Sequence, residues 1–135
     1  MLSNLLQMKK LLFVLLLSMS SVVHAQWIFV DLVPELGAVV YIDKSSITQV
    51  SQFTRVWEKV EYTKISEMAK MNILSTRSYL EFDCREKKYR MLSFQSFRNN
   101  NLENFANGDD KKGEWKFIAP QTAYISVLEH ICKSK

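Results

Sequence analysis

Two cysteines, Cys84 and Cys132, in a chain that opens with an export signal constrain this sequence more than any other feature. Lys9 and Lys10 precede the apolar run Leu11-Leu12-Phe13-Val14-Leu15-Leu16-Leu17, and Val23-His24-Ala25 offers residues compact enough for a signal peptidase site. Residues 1–25 are therefore expected to be a signal peptide, with Met8 as a second available start and Gln26 as the first mature residue. The alternative is an uncleaved anchor, against which the apolar run is short for a membrane span and ends in Ser18, Ser20 and Ser21 rather than in charges. No stable membrane span is expected after cleavage, and no cysteine follows the run to signal lipid attachment. An even cysteine count in an exported chain implies a disulfide between Cys84 and Cys132. Closing a loop of about 49 residues is worth roughly 4 kcal/mol of loop entropy, a large share of a small domain's stability. Two free buried thiols are the alternative state.

Residues 26–135 amount to one ordinary domain, large enough to bury most of its apolar surface. The net charge of +4 includes Lys9 and Lys10, so the mature part carries 16 basic against 14 acidic side chains, too even a balance for a nucleic-acid binder. A single mature histidine, His130, and the absence of a Cys-x-x-Cys pair give no zinc-site spacing. No glycine-rich phosphate loop or metal motif appears, so neither a metal nor a cofactor is expected.

The mature chain reads as successive short strands. Gln26 to Val33 is apolar and aromatic and stops at Pro34-Glu35-Leu36-Gly37; Ala38 to Asp43 is a second strand, with Asp43, Ser45 and Ser46 placed to satisfy backbone donors in a turn that carries Ile47. Phe53 to Tyr62 alternates, with Val56, Val60 and Tyr62 expected on a covered face and Trp57 on a partly open one. Lys64 to Ser75 reads as a connection or one helical turn. From Thr76 to Cys84 the pattern places Ser78, Leu80, Phe82 and Cys84 on the core side, with Tyr79, Glu81 and Asp83 opposite. Arg85-Glu86-Lys87-Lys88 then forms a hairpin loop without an Asn-Gly or Asp-Gly signal, and Tyr89 to Phe97 returns. Asn99 to Gly113 is an exposed excursion with a short strand expected near Leu102 to Phe105, and Glu114 to Ile118 is a last strand. Pro120 opens a helix from about Gln121 to Cys132 whose stripe of Tyr124, Val127, Leu128 and Ile131 faces the sheet.

Three of these segments together resemble the bacterial surface-adhesin protein E family: Val40-Tyr41-Ile42-Asp43 with Ser45, Ser46 and Ile47; Tyr79 to Arg90 around Cys84; and Ala119-Pro120-Gln121-Thr122 through Ile131-Cys132. The resemblance implies an α+β fold, a six-stranded antiparallel sheet with a C-terminal helix packed on one face and tied there by the disulfide. It also implies export to the cell surface and binding of host matrix or serum proteins; vitronectin, laminin and plasminogen are ligands of the family's namesake. The glycine-rich segment that often follows the fourth strand in the family is replaced here by Phe97-Arg98-Asn99-Asn100-Asn101, and the namesake's long basic N-terminal extension is missing. No ligand contact is carried over from the namesake.

Candidate binding chemistry is sparse. Arg85, Lys87, Lys88 and Arg90 form either a docking patch for an acidic partner or a solvated hairpin tip interrupted by Glu86. Trp57, Tyr79 and Tyr89 are either an open aromatic patch or sheet packing. His130 stands near a helix C-terminus, where a positive imidazole is favoured, and has no evident nucleophile partner. Asp109-Asp110 lacks the spacing of a calcium loop, and Glu81 with Asp83 fits cross-strand ion pairing. The expected protein is a non-enzymatic, exported protein-binding module at the cell surface; the alternative is a periplasmic or envelope-associated binding domain with no adhesive role. Its partner is a host or envelope protein, and free sheet edges offer a route to a homodimer. Alkylation of the denatured, unreduced exported protein should leave both cysteines unmodified; modification of both would establish free thiols.

Overall fold

The computed structural model describes residues 2–17 and 24–132. Helix α1 (Leu2–Leu17) contains the apolar run, while the expected signal-peptide boundary falls partly on residues 18–23, outside the described residues. Among the described residues no helix is long and apolar enough to cross a membrane.

Alternating apolar and polar residues build one antiparallel sheet from β1 (Trp27–Val33), β2 (Ala38–Asp43), β4 (Phe53–Tyr62), β5 (Ser75–Asp83), β6 (Lys88–Phe97) and β7 (Phe105–Asp109), in that spatial order. Two short strands lie off this path: β3 (Thr48–Val50) pairs with β4, and β8 (Lys116–Phe117) pairs with β6. The expected six-stranded sheet is therefore present with two short additions. β3 was not legible because it has only three residues, two of them exposed.

Local chemistry fixes the connections. Gly37 closes the Pro34 turn at φ +58°, and a Cβ there would stand 2.5 Å from the Thr63 hydroxyl, so the position excludes any larger residue. The Asp43 carboxylate accepts hydrogen bonds from the Ser45 amide at 3.0 Å and the Gln26 amide at 2.9 Å, locking the end of β2 to the start of β1. The one-turn helix α2 (Glu67–Lys70) begins where the Ser66 hydroxyl accepts from the Met68 amide. At the β5–β6 hairpin Asp83 replaces the missing Asn-Gly signal: its carboxylate accepts from the Arg85 and Glu86 amides, and Lys87 takes a left-handed φ of +53°. A bulge passes Tyr79 and Leu80 across to Ser93 and Met91, leaving Leu92 without a partner in the register.

Helix α3 (Ala123–Cys132) covers one face. Val127, Leu128 and Ile131 are buried against Val40, Ile42, Val56, Leu80 and Phe82, with Tyr124 and Cys132 packed at the margin. Each of the three buried aliphatic side chains stabilises the packing by roughly 1.5–3 kcal/mol. Tyr124 stacks on Tyr89 at 4.1 Å between ring centroids, and the Ser126 hydroxyl donates to Asp31 of β1. The Cys84–Cys132 disulfide, with Cα atoms 5.9 Å apart, joins the end of α3 to the residue after β5.

Three boundaries differ from expectation. The short strand of the excursion runs Phe105–Asp109 rather than Leu102 to Phe105, because Asn101, Leu102 and Asn104 adopt left-handed φ values that suit a turn and not a ladder. The last strand shortens to Lys116–Phe117. The helix starts at Ala123 because Gln121 has φ +61°. Replacing both cysteines, Cys84→Ser with Cys132→Ser, should lower the unfolding free energy by about 4 kcal/mol in a denaturant titration; an unchanged midpoint would show that α3 docks without the bond.

Candidate protein-binding surface

The strand period that sends Val56, Leu80 and Phe82 toward α3 sends their neighbours to the opposite, open face. There the register assembles three cross-strand rows: Arg55, Glu81 and Arg90; Trp57, Tyr79 and Ser93; and Tyr41, Lys59, Arg77 and Gln95. Successive rows are two residues apart along each strand, about 7 Å.

Glu81 organises the first row. It is 1% exposed, accepts from Arg55 Nε at 2.7 Å and from Arg90 Nε at 2.8 Å, and lies 2.5 Å from Arg90 Nη2. Burial works to raise its carboxyl, but the hydrogen bonds and charges of Arg55 and Arg90 outweigh this and hold its pKa below the ordinary value of 4.5. The hydrogen bond to Glu81 in turn raises the Arg55 pKa. One carboxylate between two guanidinium groups leaves one positive charge in excess and several N–H donors unspent.

Aromatic rings hold the remaining cations. Trp57 stacks on Tyr79 at 4.8 Å, with the Arg77 guanidinium 4.9 Å from the Trp57 ring centre and hydrogen-bonded to Gln95. Arg90 lies 4.4 Å from the centre of Trp115, which also packs on Phe53 at 4.9 Å. Lys59 stands between Tyr41 and Trp27, at 4.6 and 5.2 Å, and meets Glu61 at 3.3 Å. Arg77 therefore differs from the other three cations of these rows: among the described residues it forms no ion pair with a carboxylate.

The four basic residues singled out from the sequence sit in different settings around the β5–β6 hairpin. Arg85 and Lys87 are exposed in the hairpin loop, Lys88 lies 5.2 Å from the Phe117 ring centre, and Arg90 belongs to the Glu81 row. A cleft of about 710 Å³ opens beside the disulfide, lined by Gln52, Asp83, Cys84, Arg85, Glu86 and Cys132. Of the three aromatics considered, Trp57 and Tyr79 share the open face, whereas Tyr89 points to α3. The pairing expected for Glu81 is present; Asp83 caps the hairpin turn instead. His130 is exposed near the end of α3 with its Nδ1 3.0 Å from the Ser126 carbonyl, and Asp109 and Asp110 accept from the Lys111 amide and the Ser93 hydroxyl. Arg77 and Trp115 were missed. The triplets Arg55-Trp57-Lys59 and Arg77-Tyr79-Glu81 signalled one cationic face at spacing two, but only the β4–β5 register shows that they stand side by side.

With this geometry in view, comparison with known proteins is informative: the family described as surface-adhesin protein E matches residues 27–133. The chain belongs to the surface-adhesin protein E family. Crystal form II of Haemophilus influenzae protein E superposes with a TM-score of 0.58 at 16% identity, covering 84% of this chain and 91% of that chain. Protein E from non-typeable Haemophilus influenzae gives 0.55 at 17% identity, covering 84% and 79%. At such identity the structural likeness is one of fold. No curated protein matches the sequence significantly. The family is one of surface adhesins, a non-enzymatic kind of protein.

The covered face holds a contrasting carboxylate. Glu58, 5% exposed, lies between Ile42 and Ser78 on the neighbouring strands and forms no ion pair among the described residues. Burial pushes its pKa up to about 7. Burial first, and the charge of Glu58 second, push the Tyr124 phenol up. Since the folded pKa exceeds the unfolded value of 4.5, folding binds a proton between these limits; the favourable contribution is complete below pH 4.5 and lost as pH rises through about 7. Glu58→Gln should therefore stabilise the fold by roughly 3 kcal/mol at pH 8 and by little at pH 4.5, read by urea unfolding. An equal effect at both pH values would contradict the raised pKa.

Proposed function

We propose that this protein is an exported, non-enzymatic protein-binding module of the surface-adhesin type, displayed at the cell surface after cleavage near Ala25. The observation that carries the reading is the open face of β4, β5 and β6, where Trp57, Tyr79 and Trp115 stand among Arg55, Arg77 and Arg90. Aromatic and arginine side chains dominate the energetics of protein interfaces, and here they are already ordered by stacking and ion pairing, which reduces the entropy cost of contact. Arg85, Lys87 and Lys88 lie at the hairpin beside this face and extend its positive field, with Arg90 joining the two regions. The partner is a protein, either a host extracellular protein or a component of the envelope. The edge strands β1 and β7 leave pairing with a second copy open as a further mode of contact.

Protease treatment of intact cells tests display directly. Loss of the protein under conditions that spare periplasmic markers is expected, and recovery wholly in the soluble periplasm would contradict adhesion and favour an internal envelope role. Reversal of the two exposed loop charges, Arg85→Glu with Lys87→Glu, should slow association with the captured partner by about tenfold at low salt. It should leave thermal unfolding unchanged; an unaltered association rate would remove the hairpin from the contact surface.

A further inference from the structure

Three facts about the open face point to a partner of defined chemistry. The Arg55–Glu81–Arg90 row carries one uncompensated positive charge on guanidinium groups whose geometry is fixed by a buried carboxylate. Arg77, four residues from Glu81 along β5, carries a second positive charge, and its contacts are Gln95 and the ring of Trp57. Between these two charged rows lies the partly exposed Trp57–Tyr79 pair, its rings stacked on each other and the Arg77 guanidinium set against the Trp57 ring. Lys59 offers no comparable site, since it is 7% exposed and already meets Glu61 and two rings.

We propose that this face binds an acidic polypeptide segment in extended conformation, with carboxylates four residues apart and an apolar side chain midway between them. Resting on the protein-binding reading above, this names the partner's chemistry. Side chains on one side of an extended chain recur every two residues, about 7 Å, so residues at positions i and i+4 stand about 13 Å apart, matching the spacing of the Glu81 and Arg77 backbone positions along β5. One carboxylate meets the free edges of Arg55 and Arg90, and the other takes the edge of the Arg77 guanidinium that Gln95 leaves open. The side chain at i+2 packs against the exposed edges of the stacked Trp57–Tyr79 pair. The order charge, apolar, charge at spacing two is natural to a polypeptide. A sulfated polysaccharide matches the charge alone.

The probe is a capped synthetic nonapeptide with Glu at its third and seventh positions, Phe at its fifth, and small neutral residues elsewhere. It is titrated into the exported protein purified from the envelope, with calorimetry and tryptophan fluorescence as readouts. A scramble of the same composition and a heparin oligosaccharide serve as comparisons. The designed peptide should bind about tenfold more tightly than its scramble, and binding should weaken as salt is raised. Arg77→Gln should lower affinity for the designed peptide about tenfold with unfolding unchanged, and Arg77→Lys should recover part of it. Equal binding of designed and scrambled peptides, or an Arg77→Gln variant that binds like the parent, would overturn the proposal; heparin binding without peptide binding would do so by assigning the face to a polysaccharide. Because the titration needs no cell, Arg77-dependent peptide binding by a protein that escapes protease shaving would sink the adhesive reading and leave this one standing. Surface display with no peptide binding would do the reverse.

Discussion

The Cys84–Cys132 bond ties α3 to the apolar face of the sheet, and the remaining arrangement follows from which face is covered. A ten-residue helix is marginal by itself in water, and α3 is held by the apolar stripe Val127, Leu128 and Ile131 together with the covalent tie at its last residue. Because successive side chains in a strand point to opposite sides, fixing α3 over Val56, Leu80 and Phe82 commits Trp57, Tyr79 and Glu81 to the other face. Covering one face thus exposes an equally ordered second one.

Two glutamates show how differently the faces treat charge. Glu81, on the open side, is almost fully buried yet ionised, because two guanidinium groups surround it and its lowered pKa keeps the row intact until the pH falls well into the acidic range. Glu58, on the helix side, has no cation among the described residues and is pushed toward the neutral acid. The open face keeps its charge by pairing part of its own cations with an internal carboxylate, which also fixes their orientation. A buried acid on the covered face brings no such return, and the hydrophobic packing around it must offset its cost.

Much of this was legible in the sequence. Alternation over Phe53–Tyr62 marked β4 and its two sides, and the helical recurrence of Val127, Leu128 and Ile131 marked the face of α3. Cys84 sharing a strand face with Leu80 and Phe82 located the tie. Hairpin register was not legible: Asp83 closes the β5–β6 turn with a carboxylate rather than a glycine, and a bulge then shifts the pairing after Tyr79. That register sets Arg90 opposite Glu81. Trp115 escaped notice because it lies between two short strands and comes to Arg90 and Phe53 only through the long excursion after β6. Periodicity therefore reveals which face a residue occupies, whereas neighbours across strands depend on turn chemistry that a single sequence expresses weakly.

One face of the sheet holds the fold, and the proposed function assigns contact to the other. Hydroxyl-radical footprinting of the exported protein, free and bound to its captured partner, measures this division most directly. Protection of Trp57, Tyr79 and Trp115, with Tyr124, Ile125 and His130 on the outside of α3 unchanged, is the predicted result. Protection concentrated on α3, with Trp57 and Trp115 as reactive as in the free protein, would contradict it.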